Sequence, residues 1–262
     1  MGTATIQNAL WGREPDTWAT KLEPRMQPLY EAALDALEPL QRMSLLDAGC
    51  GAGLALQLAA QRGAVISGLD ATDALLEVAQ QRTPQAQLHA GDIESLPYGE
   101  ATFDIVTAFN SIQYANDPAA AVAELARVCN PGGRIAIGVW GAPQQCETEA
   151  LFARLRSLAP PPPGTKAPLA CSEPGVVESL LTGVGATIVH SGETICSFVF
   201  PDTEAAFQAH CSAGPVQKVI DLAGEQAVRR TITDVVEADR KPDGQLRQDN
   251  VFRFVIARTA AD

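Results

Sequence analysis

The stretch Leu45–Gly53, with the sequence LLDAGCGAG, decides the fold of this 262-residue chain. A short apolar run ends in Asp47, and glycines follow at Gly49, Gly51 and Gly53. This pattern predicts a buried strand that breaks into a tight turn, because glycine tolerates positive φ and lets a ligand lie against the backbone. The residues after the turn, LALQLAAQR, are strong helix formers. The amide hydrogens at the start of that helix would face the contents of the turn, which predicts a nucleotide-type pocket.

The spacing of the glycines separates two kinds of nucleotide pocket. A dinucleotide fingerprint reads Gly-x-Gly-x-x-Gly, and here its third glycine would fall at Leu54. The observed spacing is Gly-x-Gly-x-Gly, with Asp47 just before it. This pattern resembles motif I of the class I S-adenosylmethionine-dependent methyltransferases. A plain strand-to-helix turn can carry the same triplet, so the resemblance depends on the motifs that follow.

Two acidic positions downstream continue the resemblance. The segment AVISGLDAT (Ala64–Thr72) predicts a second strand ending in Asp70, 19 residues after Gly51. The resemblance implies that Asp70 accepts hydrogen bonds from both ribose hydroxyls, and the alternative is a helix N-cap. Asp92 and Ile93 match the family position beside the adenine, where the aliphatic side chain packs on the ring.

Further motifs extend the resemblance over residues 40–141. The run LPYGEATFDIVTAFNSIQY and the later LARVCNPGG are similar to the small-molecule branch of the family, including the quinone C-methyltransferases. Phe103–Phe109 is the predicted fourth strand, and Asn110 follows where that strand runs into the site. The apolar segment RIAIGVWG predicts a fifth strand that is covered on both faces.

The alternation of strands and helices predicts an α/β fold with right-handed crossovers. The resemblance implies a Rossmann-like, doubly wound, mostly parallel seven-stranded sheet whose last strand is antiparallel, plus a helical cap. Within one domain, the predicted organisation is 1–40 as N-terminal helices over the cofactor site, 41–141 as the S-adenosylmethionine-binding core, and 142–262 as the remaining strands with a cap inserted at about 202–240. In finer detail, residues 1–12 are expected to be irregular, 159–165 to form a polyproline spacer, and 186–201 to form a strand with room for a hairpin.

Composition argues against several classes of function. The net charge is −12, from 19 basic and 31 acidic residues, with no dense cluster of lysine and arginine, so no nucleic-acid partner is expected. No basic-then-apolar leader and no apolar run near membrane-spanning length is present, so no membrane partner is expected. The six cysteines and three histidines lack zinc-site spacing, so no metal is expected. Buried, reduced cysteines in a cytoplasmic protein are the prediction.

The resemblance implies S-adenosyl-L-methionine as cofactor and S-adenosyl-L-homocysteine as product. The predicted cofactor-binding residues are Asp47, Gly49, Cys50, Gly51, Gly53, Asp70, Ala71, Asp92, Ile93 and Asn110. In their implied roles, the glycine turn lies under the methionine moiety, Asp47 holds its amino group directly or through water, Ala71 leaves room for the adenine, and Asn110 contacts the amino-acid end.

The implied reaction is in-line methyl transfer to the oxygen, nitrogen or carbon atom of a small organic acceptor, for which positioning supplies much of the rate. His210 is a weak candidate for a general base, and no catalytic residue is assigned. One alternative is a protein that binds S-adenosylmethionine but has lost methyl transfer, as a binding subunit or a catalyst of rearrangement. A nicotinamide oxidoreductase is the other alternative, and the glycine spacing disfavours it.

Overall fold

A computed structural model describes residues 3–160 and 170–261 of the chain. Seven strands form one sheet in the order β3-β2-β1-β4-β5-β7-β6. Their bounds are β1 (Ser44–Ala48), β2 (Val65–Asp70), β3 (Gln87–Ala90), β4 (Phe103–Phe109), β5 (Cys129–Trp140), β6 (Thr187–Phe200) and β7 (Leu246–Arg258). Strand β7 runs antiparallel to both of its neighbours, β5 and β6, whereas the other neighbouring strands pair in parallel. The predicted fold class is therefore confirmed, including the reversed last strand.

Helices cover both faces of the sheet. They are α1 (Ala4–Trp11), α2 (Pro15–Thr17), α3 (Gln27–Ala36), α4 (Leu54–Gln61), α5 (Asp73–Arg82), α6 (Pro118–Val128), α7 (Glu149–Leu158), α8 (Val176–Gly183), α9 (Thr203–Cys211), α10 (Gly214–Ala223) and α11 (Glu225–Ala238). A π-helical turn (Trp18–Leu22) and a 3-10 turn (Glu23–Met26) join α2 to α3. In the described residues, no helix is both long and apolar enough to cross a bilayer.

The core divides at the sheet because strand side chains alternate between its faces. On β1, Leu45 packs into a cluster with α3, α4, α9, α10 and α11. Leu46 packs into a second cluster with α6 and α8. Both leucines are buried. Burial on the two faces explains why β1 and β4 read as nearly continuous apolar runs.

Two detailed expectations are wrong. Most of the segment 1–12, expected to be irregular, is helical, because Ala4–Trp11 form α1, and residues 1 and 2 lie outside the described residues. The region 186–201 contains no hairpin, because β6 runs unbroken from Thr187 to Phe200 along β7. The first error has a tertiary cause: the helix lies against α10, which is far away in the sequence. Most of the predicted polyproline spacer, from residue 161 to 165, lies outside the described residues.

The helices α9, α10 and α11 follow β6 and precede β7. The first helix of the chain meets this group at α10, where Arg13 donates hydrogen bonds to both carboxylate oxygens of Asp221 at 2.7 and 2.8 Å. Trp11 packs so closely on Gly214 that a Cβ there would lie 2.6 Å from the indole nitrogen. The N-terminal segment and α10 are thus joined beside the central part of the fold.

Candidate functional site

The glycine turn between β1 and α4 requires its glycines. Gly49, Gly51 and Gly53 all have positive φ, at 83, 53 and 82°. A Cβ on Gly49 would lie 2.3 Å from the Cβ of Ser111, so no other residue fits without displacing the chain after β4. The amides of Gly49 and Cys50 both donate to the carbonyl of Leu69, at 2.7 and 3.0 Å. The turn is therefore fixed against the end of β2.

A cavity of about 410 Å³ opens above this turn. We call it the central cavity. Its walls come from the carboxyl ends of the parallel strands, from α1 and the turns before α3, and from α9 and α10. In open α/β sheets this edge is where ligands bind. The volume lies in the usual range for small-molecule sites.

Asp70 links the glycine turn to the end of β2. Its carboxylate accepts hydrogen bonds from the amides of Gly51 and Thr72, each at 2.8 Å. A carboxylate has about four acceptor positions, so lone pairs remain for a ligand in the central cavity. Burial raises the pKa of Asp70, and the two backbone hydrogen bonds oppose that rise.

Three carboxylates surround the turn. Glu23 and Asp47 are each 2% exposed, and Asp70 lies beside them. The pKa of Asp47 is raised to about 7: burial raises it most, the hydrogen bond from Thr107 at 2.7 Å opposes the rise, and the charges of Asp70 and Glu23 contribute to it. Burial also raises the pKa of Glu23, against the opposing charge of Arg82. Glu23 is paired with Arg82 and Asp47 titrates near neutral pH, so Asp70 supplies most of the negative charge that faces the turn, and this charge favours a cation over an anion.

The carboxylate of Glu23 lies at the N-terminus of α4. One of its oxygens accepts a hydrogen bond from the amide of Leu54 at 3.4 Å, and the other pairs with Arg82. Arg82 also donates to the carbonyls of Ala52 and Ala19, at 2.8 and 3.1 Å. The helix N-terminus, which ordinarily attracts an anionic ligand, is therefore neutralised by a side chain of this chain.

Several buried polar atoms in the walls of the central cavity lack a partner among the described residues. They include the indole Nε1 of Trp18 and the side-chain oxygen of Asn110. A Cβ on Gly51 would lie 3.6 Å from the indole nitrogen and 3.7 Å from Glu23, so the bare backbone leaves space next to both polar groups. Asn110 has φ of 51°, in the left-handed region. Buried donors and acceptors are usually paired, so these atoms indicate a polar ligand.

The central cavity brings together most of the predicted residues. Those that line it are Gly49, Cys50, Gly51, Asp70, Ala71, Asp92, Ile93, Asn110 and His210. Asp47 and Gly53 do not: Asp47 lies behind the turn on Thr107, and Gly53 faces α5, where a Cβ would lie 3.0 Å from the Cβ of Ala79. These two residues support the turn from behind, and direct contact with a ligand is not what their positions favour.

The half of the central cavity farther from β2 is aromatic. Trp140 at the end of β5 lies edge-on to Phe152 and Phe198, with ring centroids 5.3 and 5.9 Å apart. Tyr30 and Phe109 form a second pair, with centroids 5.1 Å apart. This lining suits an apolar, flat molecule.

Sequence reasoning assigned no role to Glu23 or to the indole nitrogen of Trp18. Neither belongs to a motif, and their approach to the turn depends on the path of the chain through the π-helical and 3-10 turns. The sequence does place Trp11, Trp18 and Tyr30 close together in a chain with 5% aromatic residues, but this pattern is equally typical of residues that anchor a helix to the core.

In the described part of the chain, no group of three or more His, Cys, Asp or Glu side chains is arranged to hold a metal ion.

Comparison with known proteins gives a consistent result. Residues 46–137 match the model of a methyltransferase domain. A ubiquinone biosynthesis O-methyltransferase of Paracidovorax citrulli is 36% identical over 124 residues, which cover 43% of this chain and 52% of that protein. A malonyl-[acyl-carrier protein] O-methyltransferase of Serratia marcescens is 42% identical over 91 residues, which cover 35% of this chain and 36% of the relative. The chain thus spans about half the length, or less, of these curated relatives.

Structural similarity extends over more of the chain. A candidate methyltransferase of Bacillus halodurans C-125 superposes with a TM-score of 0.62 at 15% identity, covering 88% of this chain and 99% of the other. At this level of identity the likeness concerns the fold, and it includes the strands and helices outside residues 46–137.

Proposed function

We propose that this chain is a class I S-adenosylmethionine-dependent methyltransferase that transfers a methyl group to a small organic acceptor, because residues 46–137 match the model of a methyltransferase domain. The central cavity, which includes residues outside the matched segment, supports this activity for the whole chain. Its volume of about 410 Å³ and its aromatic wall favour a small molecule over a macromolecule.

The observation that carries the proposal is the charge around the glycine turn. Glu23, Asp47 and Asp70 lie together, and Glu23 already accepts the hydrogen bond offered by the start of α4. The pyrophosphate of a nicotinamide dinucleotide would have to displace that carboxylate and approach two others. A ligand with a sulfonium and an ammonium group gains from the same charges. The arrangement therefore favours S-adenosylmethionine over a dinucleotide.

The residues present fit this cofactor. Asp70 has free acceptor positions for the ribose hydroxyls, and Asp92 and Ile93 line the wall expected for the adenine. The unpartnered Trp18 Nε1 can donate to a carboxylate, and the unpartnered oxygen of Asn110 can accept from an ammonium. When bound, the cofactor supplies an electrophilic methyl group on a good leaving group. The chain's own task is to orient the acceptor and exclude water.

The nature of the acceptor is part of the proposal. The two curated relatives described above are both named as O-methyltransferases, which favours an oxygen acceptor here. A cytoplasmic location is also proposed, because all six cysteines are buried and reduced thiols persist in that compartment.

Calorimetric titration tests the cofactor assignment. S-adenosylmethionine should bind to the wild-type chain and NADH should not. The substitution Asp70→Ala should weaken binding of S-adenosylmethionine by about 1.5–3 kcal/mol, the range for a lost charged hydrogen bond. Asp73→Ala, three residues later at the start of α5 and outside the wall of the central cavity, serves as the matched control. Unchanged affinity in Asp70→Ala would remove Asp70 from the site, and preferential binding of NADH would overturn the proposal.

An assay for release of S-adenosylhomocysteine with a panel of hydroxyl, amine and carbon acceptors tests the reaction itself. Acceptor-dependent release is expected. Tight binding of S-adenosylmethionine without release for any acceptor would instead favour a protein that binds the cofactor but has lost methyl transfer.

A further inference from the structure

A hydrogen-bonded chain of three polar side chains, two of them buried, reaches the central cavity from the end of α11. It runs from Asp239, after α11, through Gln248 on β7 to His210 on α9. Gln248 is fully buried and His210 is 2% exposed. The proposed binding of S-adenosylmethionine uses none of these residues.

The orientation of Gln248 is determined by its partners. Its Nε2 donates to a carboxylate oxygen of Asp239 at 2.7 Å. An ionised carboxylate only accepts hydrogen bonds, so the amide nitrogen has to face Asp239 and the amide oxygen has to face the other way. That oxygen lies 3.2 Å from Nε2 of His210 and also accepts from the hydroxyl of Thr148 at 3.4 Å.

The orientation of Gln248 in turn selects the tautomer of His210. An amide oxygen is an acceptor, so Nε2 of His210 carries the hydrogen and donates it. Nδ1 then bears the lone pair. Among the described residues, Nε2 is the one ring nitrogen with a hydrogen-bond partner, and the ring lines the central cavity. The lone pair of Nδ1 is therefore available to a group bound there.

We propose that His210 is the general base that removes the proton from a hydroxyl acceptor, and that Gln248 and Asp239 are positioning residues that keep Nδ1 as the accepting nitrogen. The inference rests on the proposed methyl transfer and names the substrate class, which is a compound with an aromatic hydroxyl group. The flat rings of Trp140, Phe152 and Phe198 match such a compound.

The charge state of His210 agrees with this role. Burial lowers the pKa of the imidazole to about 4, the hydrogen bond with Gln248 opposes this, and the nearby guanidinium of Arg25 lowers the pKa further. The ring is therefore neutral near pH 7, with its lone pair present before an acceptor binds. The same effects make it a weak base, so proton transfer has to accompany formation of the new bond to oxygen.

The step balances without a further reactant. The hydroxyl proton passes to Nδ1, and a lone pair of the acceptor oxygen forms the bond to the methyl carbon. The electrons of the carbon–sulfur bond remain on sulfur, which becomes a neutral thioether. The positive charge thus moves from sulfur to the imidazole, and the carboxylate of Asp239, linked through Gln248, stabilises it. The proton leaves to solvent when the ether product is released.

Nitrogen-15 NMR of the imidazoles tests the tautomer independently of activity. The chain has three histidines, and the spectrum of His210→Phe identifies the signal of His210 by its loss. In the wild-type chain, His210 should be a neutral ring with hydrogen on Nε2, and Gln248→Met should shift it toward a mixture of tautomers. A wild-type ring with hydrogen on Nδ1 would overturn the assignment.

Methyl-transfer kinetics test the role of the base. Phenol and catechol are compared with 4-nitrophenol, whose hydroxyl ionises near neutral pH and needs little help from a base. His210→Phe should lower kcat for phenol and catechol by about 10²–10⁴-fold, the usual range for general-base catalysis. It should lower kcat for 4-nitrophenol far less, and Gln248→Met should show a smaller loss of the same pattern. Calorimetry should show unchanged affinity for S-adenosylhomocysteine, which also reports that each variant is folded.

The outcomes separate the two proposals. An equal loss for all three phenols in His210→Phe, or no loss, overturns the base and leaves the methyltransferase assignment intact. Transfer to amines or carbon acceptors but not to hydroxyl compounds has the same consequence. A wild-type chain that releases no S-adenosylhomocysteine with any acceptor refutes the proposed function, and the base assignment fails with it.

Discussion

Asp47 illustrates how a single residue of the glycine motif can act without touching the central cavity. Its carboxyl group is buried behind the turn, where it accepts one hydrogen bond from Thr107. Because burial raises its pKa to about 7 from 3.8, the folded state binds a proton over a pH range in which the unfolded chain does not. The stabilisation associated with that proton is full below the unfolded pKa and is lost as the pH rises through the folded one.

This linkage predicts the effect of Asp47→Asn on stability. Asparagine keeps the hydrogen-bond acceptor for Thr107 and cannot ionise, so the variant should not lose stability at this position as the pH rises. The difference in free energy of unfolding between variant and wild type should shift in favour of the variant by about 2–3 kcal/mol between about pH 5 and about pH 8. Urea unfolding at several pH values measures it.

Asp104→Asn is the matched control for that prediction. Hydrogen bonds from Ser44 and Asn130, together with the charge of Arg134, lower the pKa of Asp104. Its contribution is present above the unfolded pKa and is lost as the pH falls, so the control should lack the dependence predicted for Asp47. A constant difference between Asp47→Asn and wild type across this pH range would mean that Asp47 is already ionised in the folded state at pH 5.

At the residue scale, motif residues could be predicted and supporting residues could not. Asp70 follows from its distance to Gly51, because strand ends meet at one edge of a parallel sheet. Gln248 was accessible in principle: it is buried on the same face of β7 as Leu246 and Phe252, and a polar residue in such an alternation is a signal. No comparable sequence pattern identifies Glu23, because its role depends on the three-dimensional path of the turns before α3.

At the element scale, Gly53 controls the distance between α4 and α5. It combines φ of 82° with a position where a Cβ would lie 3.0 Å from the Cβ of Ala79 and 3.2 Å from its Cα. Positive φ and crowding are separate costs, and the chain offers a way to separate them. Gly175, before α8, has φ of 85° and no atom within 4 Å of an added Cβ.

Gly53→Ala should therefore be more destabilising than Gly175→Ala. We expect a loss of about 2–4 kcal/mol for Gly53→Ala, from the left-handed backbone and overpacking together. Gly175→Ala should lose about 1–2 kcal/mol, from the backbone alone. Denaturant unfolding of both variants gives the comparison. Equal losses would show that α4 and α5 separate easily and that Gly53 does not set their spacing.

Strand and helix identities were largely accessible from the sequence because periodicity and glycine turns are local. The predicted fourth strand, Phe103–Phe109, has the bounds observed for β4. The helix α1 was missed because it has only eight residues and none of them is buried, so no apolar face marks it in the sequence. Its stability comes from contacts with α10, and local patterns do not report contacts across most of the chain length.

At the scale of the whole molecule, α1 and α10 together form one side of the central cavity. Residues of both α1 and α10 line it, and the Arg13–Asp221 pair joins them across 208 positions of sequence. Both side chains are partly exposed, at 37% and 48%, so the pair should add little to global stability. We expect the pair to slow the local separation of α1 and α10, and therefore to slow the release of a ligand from the central cavity.

Charge substitution tests this closure. Arg13→Asp places two acids in contact and should increase the dissociation rate of S-adenosylhomocysteine by about two- to fivefold at low salt, with little change in thermal stability. The exchange Arg13→Asp with Asp221→Arg restores opposite charges and should restore slow release. Arg62→Asp breaks an ion pair with Asp35 outside the cavity wall and should leave the rate unchanged. Stopped-flow displacement measures all four proteins. If Arg13→Asp released the ligand at the wild-type rate, opening between α1 and α10 would not limit exit, and the path would have to lie elsewhere along the wall.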